Sequence, residues 1–149
     1  MGQQQLLLLV LSTVIVGLAT VAGIQAFDEN QQQATQDAMV QRGTTIISDI
    51  KAELSKPEQL GGITYSATPK NVFGQLGYND GTSATVPVEG ASANVECELG
   101  LGSSKAVVLC GDGVSGVQKV SVTLNGSGNG EVSTAFGDNA ASIPGTGGN

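Results

Sequence analysis

A chain of 149 residues is about one domain long, and with 3% aromatic content, no Trp, no His and 22 Gly it has few large side chains from which to build a core. The lack of His excludes a conventional Ser-His-Asp or Cys-His arrangement, and no glycine cluster carries the Gly-Lys-Ser/Thr ending of a phosphate loop, so neither enzyme activity nor a bound cofactor is expected. Thirteen acidic residues against six basic ones give a formal net charge of −7; with no two basic residues adjacent, nucleic acid is not an expected partner, and the acidity reads as a solubility device.

The first element in chain order is an apolar run. Leu6 to Ile24 contains no charged side chain and follows the polar cluster Gln3-Gln4-Gln5. As a helix, such a run crosses the roughly 30 Å hydrocarbon core of a bilayer. A secretory signal peptide needs a basic start, whereas the first basic residue here is Arg42. Lys and Arg normally set the orientation of a membrane segment, so their absence predicts that a basic leader preceded Met1 and was removed. The competing reading keeps Met1 as the initiator.

Residues 1–56 contain no proline and are expected to form one long helix, apolar over 1–27 and amphipathic over 28–56. Asp28-Glu29-Asn30-Gln31-Gln32-Gln33 is polar, after which Met39, Ile46, Ile47, Ile50 and Leu54 recur at helical spacing. Pro57 should stop the helix. At 1.5 Å per residue the rod would be about 80 Å long, more than a small head can cover; its first half therefore needs lipid or other copies, and only the stripe from Met39 to Leu54 can seat a head. Gly17 and Gly23, like Gly43, are points of helix flexibility, each costing about 1 kcal/mol relative to Ala. Close helix packing is the alternative use of such small residues.

After a linker at 57–62 the periodicity changes to two, which predicts a β-rich head over 63–136. Expected strands are Ile63 to Ser66, Ala84 to Val88 (at an edge, because of Pro87), Ala93 to Leu99, Lys105 to Cys110, Val117 to Leu124 and Glu131 to Phe136. Asn79-Asp80-Gly81, Gly111-Asp112-Gly113, Asn125-Gly126 and Asn129-Gly130 are read as turns. The first and second of these do not complete a calcium-loop pattern, and Asn125-Gly126-Ser127 has the form of a glycosylation acceptor. Gly100 to Ser104 reads as a hairpin turn that brings Cys97 and Cys110 together. Closing that loop as a disulfide is worth on the order of 3 kcal/mol and fits an exported head; two buried thiols are the alternative, and a zinc shell would be only half supplied. The tail at 137–149 is expected to be flexible and Gly-rich. The fold class is thus α+β, a long N-terminal helix packed on a small antiparallel sheet.

This order of elements resembles the type IV pilin family: an apolar helix running into an amphipathic one, then a small β-rich head with a late disulfide. The resemblance spans the whole architecture, but its specific motif lies in about the first 25 residues. It implies a processed, N-methylated Met1 and an assembly contact at Gln5, the position where the family has a glutamate that pairs with a neighbour's terminal amine. Here the acid is an amide, and the family's helix proline is absent. Gln5 can still accept a hydrogen bond from an adjacent Met1 amine, with Gln4 and Gln3 sharing the task.

The resemblance further implies a filament core. Leu6, Leu7, Leu8, Leu9, Val10, Leu11, Val14, Ile15, Val16, Leu18, Val21, Ile24 and Phe27 would interlock with the same residues of other copies, driven by apolar burial. The expected function is a major structural pilin of an extracellular filament on a prokaryotic surface, serving adhesion or surface motility. Its partners would be identical subunits, the inner membrane before assembly, the pilus assembly machinery and the prepilin peptidase. A pseudopilin of a type II-like secretion system, and a non-polymerising single-pass binding module, are the alternatives.

Overall fold

The computed structural model describes residues 2–91, 94–111, 119–126 and 130–144. Met1, the start of the strands expected from Ala93 and Val117, Asp112 and Gly113 of the expected Gly111-Asp112-Gly113 turn, part of Asn125-Gly126-Ser127 and of Asn129-Gly130, and the final Gly145 to Asn149 lie outside them.

Helix α1 runs from Gly2 to Leu54. The chain divides after Gln33 into two compact units. The first unit consists of the apolar part of α1 and its polar continuation, exposed throughout the described residues.

The second unit begins at Ala34. Here α1 is amphipathic: Thr35, Met39, Gly43, Ile46, Ile47 and Ile50 are buried at three- and four-residue intervals, the spacing that puts side chains on one helical face. The helix ends two residues before the expected Lys56. Ser55 N–H donates to Lys51 at 3.2 Å and Lys56 N–H to Glu53 at 3.1 Å, and Pro57, which lacks a donor, cannot extend the ladder. A short 3-10 turn, Glu58–Leu60, follows and closes at Gly61, whose φ of 85° is in the left-handed region.

Residues 63–66 do not form the strand expected there. Ile63 is buried without a strand partner, and its N–H reaches Glu53 O at 3.4 Å, so its apolar character reflects core packing rather than sheet pairing. A second helix, α2 (Pro69–Gln75), was not expected from the sequence. Thr68 precedes it in extended conformation and Pro69 occupies its first position, where a missing N–H costs nothing. It brings Val72 and Phe73 into the core.

The sheet contains β1 (Thr85–Pro87), β2 (Glu96–Gly102), β3 (Lys105–Gly111), β4 (Val120–Asn125) and β5 (Glu131–Phe136), antiparallel and ordered as in sequence. Pro87 is on an edge strand as its missing donor requires. The expected turn over Gly100 to Ser104 is tighter than the glycines suggested: Gly102 pairs with Lys105, so only Ser103 and Ser104 form the loop. One face of the sheet presents Val86, Cys97, Leu99, Ala106, Val108, Cys110, Val120, Val122 and Leu124 to the core, where they meet the stripe of α1. Burying each aliphatic side chain of this kind is worth about 1.5–3 kcal/mol.

Of the tail expected from 137 onward, residues 140–144 carry no helix or strand and residues 145–149 lie outside the described ones. Gly137–Asn139 forms a 3-10 turn, and residues 140–144 lie over the outer face of the sheet. Ala141 N–H donates to the buried Ser121 Oγ at 2.8 Å. A Cβ on Gly100 would collide with Ile143 and Pro144, and one on Gly102 would stand 2.9 Å from Pro144 Cβ. Those two glycines form a trough that the strap fills.

Candidate functional site on the apolar helix

The strongest chemical anomaly of the first unit is exposed apolar surface. Leu6, Leu7, Leu8, Leu9, Val10, Leu11, Val14, Ile15, Val16, Leu18, Val21, Ile24 and Phe27 are between 51% and 72% exposed. An apolar surface of this extent marks contact with another protein or a membrane. At about 1.5–3 kcal/mol per large side chain, covering it is worth on the order of 20 kcal/mol or more. The run Leu6 to Ile24 spans about 28 Å at 1.5 Å per residue, close to the thickness of a hydrocarbon core.

The polar groups inside this run are already satisfied. Ser12 Oγ donates to Leu9 O at 2.9 Å, Thr13 Oγ1 to Val10 O at 2.9 Å and Thr20 Oγ1 to Gly17 O at 2.8 Å. No other side chain between Leu6 and Ile24 carries a hydrogen-bonding hydrogen. A non-aqueous environment penalises donors without partners, and this segment presents none. Asn30, beyond the run, turns its Nδ2 back to Ala26 O at 2.8 Å.

Gln3, Gln4 and Gln5 are helical and exposed, on the turn that precedes the run; Met1 is outside the described residues. The helix continues through Gly17 and Gly23, and a Cβ at either would meet nothing within 4 Å. These glycines are open slots on the surface.

In the second unit Cys97 and Cys110 form a disulfide. They are directly opposed on β2 and β3 and both fully buried. A further cluster joins α1 to the loop after α2. Tyr78 donates its hydroxyl to Asp49 Oδ2, its ring lies 4.9 Å beneath the Arg42 guanidinium, and it meets Phe73 edge-on at 6.1 Å. Burial, reinforced by the hydrogen bond to Asp49 and its negative charge, pushes the Tyr78 phenol up to about 12. Arg42 Nε has no hydrogen-bond partner among the described residues; the cation is held by the ring face instead.

Asn79-Asp80-Gly81 is a turn in which side chains cap the backbone. Asn79 Oδ1 accepts from Gly81 N–H at 2.9 Å, and Gly81 has a φ of 78°. Asp80 accepts from both the amide and the hydroxyl of Thr82, and these bonds hold its carboxyl below the ordinary range. The hairpin between β4 and β5 is gripped from two sides: Lys51 Nζ donates to Gly130 O at 3.2 Å, and Tyr65 donates its hydroxyl to Gly126 O.

Sequence reasoning missed α2, the Arg42–Tyr78–Asp49 cluster and the strap. Thr68-Pro69 was the available signal for α2; the other two join residues far apart in sequence that no local pattern links. No protein-family model, curated protein or solved structure matches this chain.

Proposed function

We propose that this chain is the structural subunit of a type IV pilus-like filament, stored in a membrane by its apolar helix and polymerised through the same helix, with the head displayed on a prokaryotic cell surface. The observation that carries this reading is the joining, in one chain, of thirteen exposed large apolar side chains on α1 to a head with a buried disulfide. Lipid and other copies are the two environments that cover such a helix, and a disulfide persists on the oxidising side of the membrane. Adhesion or surface motility is the work of such a polymer.

One observation favours a second reading. The helix is long and apolar enough to span a membrane alone, which suits a single-pass anchor with a binding head that never polymerises. The exact mass of the N-terminal peptide, taken from material sheared off cells, separates the two. A free or N-methylated terminus created by cleavage behind a leader, in a sheared fraction containing filaments, supports the subunit. A formylated initiator, or absence of the chain from that fraction, supports the anchor.

A further inference from the structure

The two edges of the sheet are unlike. β1 is three residues long and carries Pro87, a short and donor-poor edge of the kind that resists further pairing. β5 has six residues, Glu131–Phe136, without proline or lysine, and among the described residues β4 is its one strand neighbour. Its pattern is at odds with its surroundings. Val132, Thr134 and Phe136 stand opposite Leu124, Val122 and Val120, on the face that packs against the core, yet Val132 is 41% and Phe136 50% exposed.

The backbone fixes what this edge can accept. Gly137 N–H donates to Lys119 O at 2.8 Å, one row beyond the Val120–Phe136 pair. Amide groups alternate in direction along an antiparallel strand, so the odd-numbered residues of β5 bond to β4, and Val132, Thr134 and Phe136 aim their N–H and C=O groups outward. An added antiparallel strand must set outward residue against outward residue. For a second β5 that rule matches Thr134 with Thr134 and Val132 with Phe136, each pair exchanging both of its hydrogen bonds.

The side chains agree with this register. Directly opposed residues share a face, so each Phe136 ring meets a Val132 and the exposed apolar groups cover one another on either side of the central threonines. On the opposite face Lys119 shares a row with Gly137 and, across the pair, with Glu131 of the second copy. Gly137 has no side chain to stand between them, and neither Lys119 nor Glu131 has an ion-pair partner among the described residues. Asp138 lines the same corner as Lys119; the charge of the lysine is what lets two acids share it.

Resting on the polymer reading above, we infer that β5 pairs antiparallel with β5 of a second copy about a two-fold axis at Thr134, joining two heads through one continuous sheet. The contact is isologous and closes on itself. The axis reverses the direction of the helix stripe that packs on each sheet, whereas copies in one polar filament share a direction. The pair therefore links heads of two filaments, and the adhesive target is another copy of this chain. A single strand edge buries less than the roughly 1,200 Å² of a stable interface, so one pair is weak and a row of them along two filaments is strong.

The test is cysteine crosslinking by an added oxidant, on the full chain in detergent and as sheared filaments. Opposed Cα atoms in a bonded pair are about 5.5 Å apart, within disulfide reach. Thr134→Cys should therefore crosslink to itself, and Val132→Cys mixed with Phe136→Cys to each other. Both should react about tenfold or more faster than Val132→Cys alone, whose Cα atoms the register holds at least about 13 Å apart. Thr134 is exposed, so Thr134→Lys, which sets two like charges on the axis, should keep the urea midpoint and the amount of filament while abolishing the mixed crosslink and separating bundled filaments in electron micrographs. Equal rates for all the cysteine variants mark random collision and overturn the inference. Filaments that form but neither crosslink through Thr134→Cys nor respond to Thr134→Lys overturn it and leave the polymer reading intact. A Thr134→Cys crosslink in detergent, from a chain that makes no filament, supports the edge pair and overturns the polymer reading on which its linking role rests.

Discussion

Gly43 of α1 lies against Val122 of β4 so closely that a Cβ on the glycine would stand 2.8 Å from Val122 Cγ2 and 3.6 Å from Cys110 Sγ. The helix is thereby seated directly over the β2–β3 disulfide. Gly43→Ala should destabilise the head, because the clash outweighs the roughly 1 kcal/mol that Ala gains in helix propensity; overpacking of this kind costs about 1–3 kcal/mol. The full chain in detergent, unfolded with urea, should show a lower midpoint with an unchanged slope. Val122→Ala in the Gly43→Ala background should recover part of the loss, since it removes the methyl groups in the way.

Reduction or substitution of the disulfide should cost more. Cys97 and Cys110 close a loop with a sequence separation of 13, for which the chain-entropy model gives on the order of 3 kcal/mol. Cys97→Ser with Cys110→Ser should lower the urea midpoint, and reductant should have no further effect on that variant while destabilising the parent chain.

The hydroxyl of Tyr78 should titrate late. Its folded value is pushed up to about 12 from an ordinary 10.0, so the neutral form is the one the fold favours. The associated stability is complete below pH 10, and is lost as pH rises through about 12. Tyrosinate absorbance of the parent chain minus that of Tyr78→Phe should rise with a midpoint near pH 12. A midpoint near 10 would mean that neither the burial of the phenol nor its contact with Asp49 persists in solution.

The strap offers a fourth test. Gly100→Val would place a branched side chain where Ile143 and Pro144 lie, displacing residues 140–144 without touching the α1 face of the sheet. Ser121 and Val107, both fully buried, would then face water. Limited proteolysis should cut the variant within 138–144 several-fold faster than the parent, with the helix stripe still protected.

Most of the architecture was legible because it rests on local periodicity. The stripe of Met39, Ile46, Ile47 and Ile50 identified the buried face of α1, and alternation from Ala93 to Leu99 with the apolar run from Lys105 to Cys110 located the hairpin that pairs the cysteines. What escaped depended on distant partners. Seven residues give α2 too little length for a helical period to emerge from Pro69 to Gln75. Ile63 looks like a strand residue yet packs as a single plug. Gly100 and Gly102 looked like turn glycines, whereas their lack of a side chain makes room for Ile143 and Pro144, a requirement visible only after the strap is placed. In the apolar run, residue type alone indicated what needs covering; the hydrogen bonds of Ser12, Thr13 and Thr20 explain why the run carries no polar debt.

The order of the sheet bears on how the head comes into being. Each strand pairs only with its neighbours in sequence, so every ladder closes a short loop and none waits for a distant segment. Contacts of this kind favour rapid folding, and the meander can assemble hairpin by hairpin behind a helix already synthesised. The cysteines meet on the first long hairpin, β2–β3, before β4 and β5 are needed. Oxidation can therefore capture the sheet at its earliest stage, and a cell that withheld the oxidant would give each newly made head the same ladder without the crosslink that holds its first long hairpin closed.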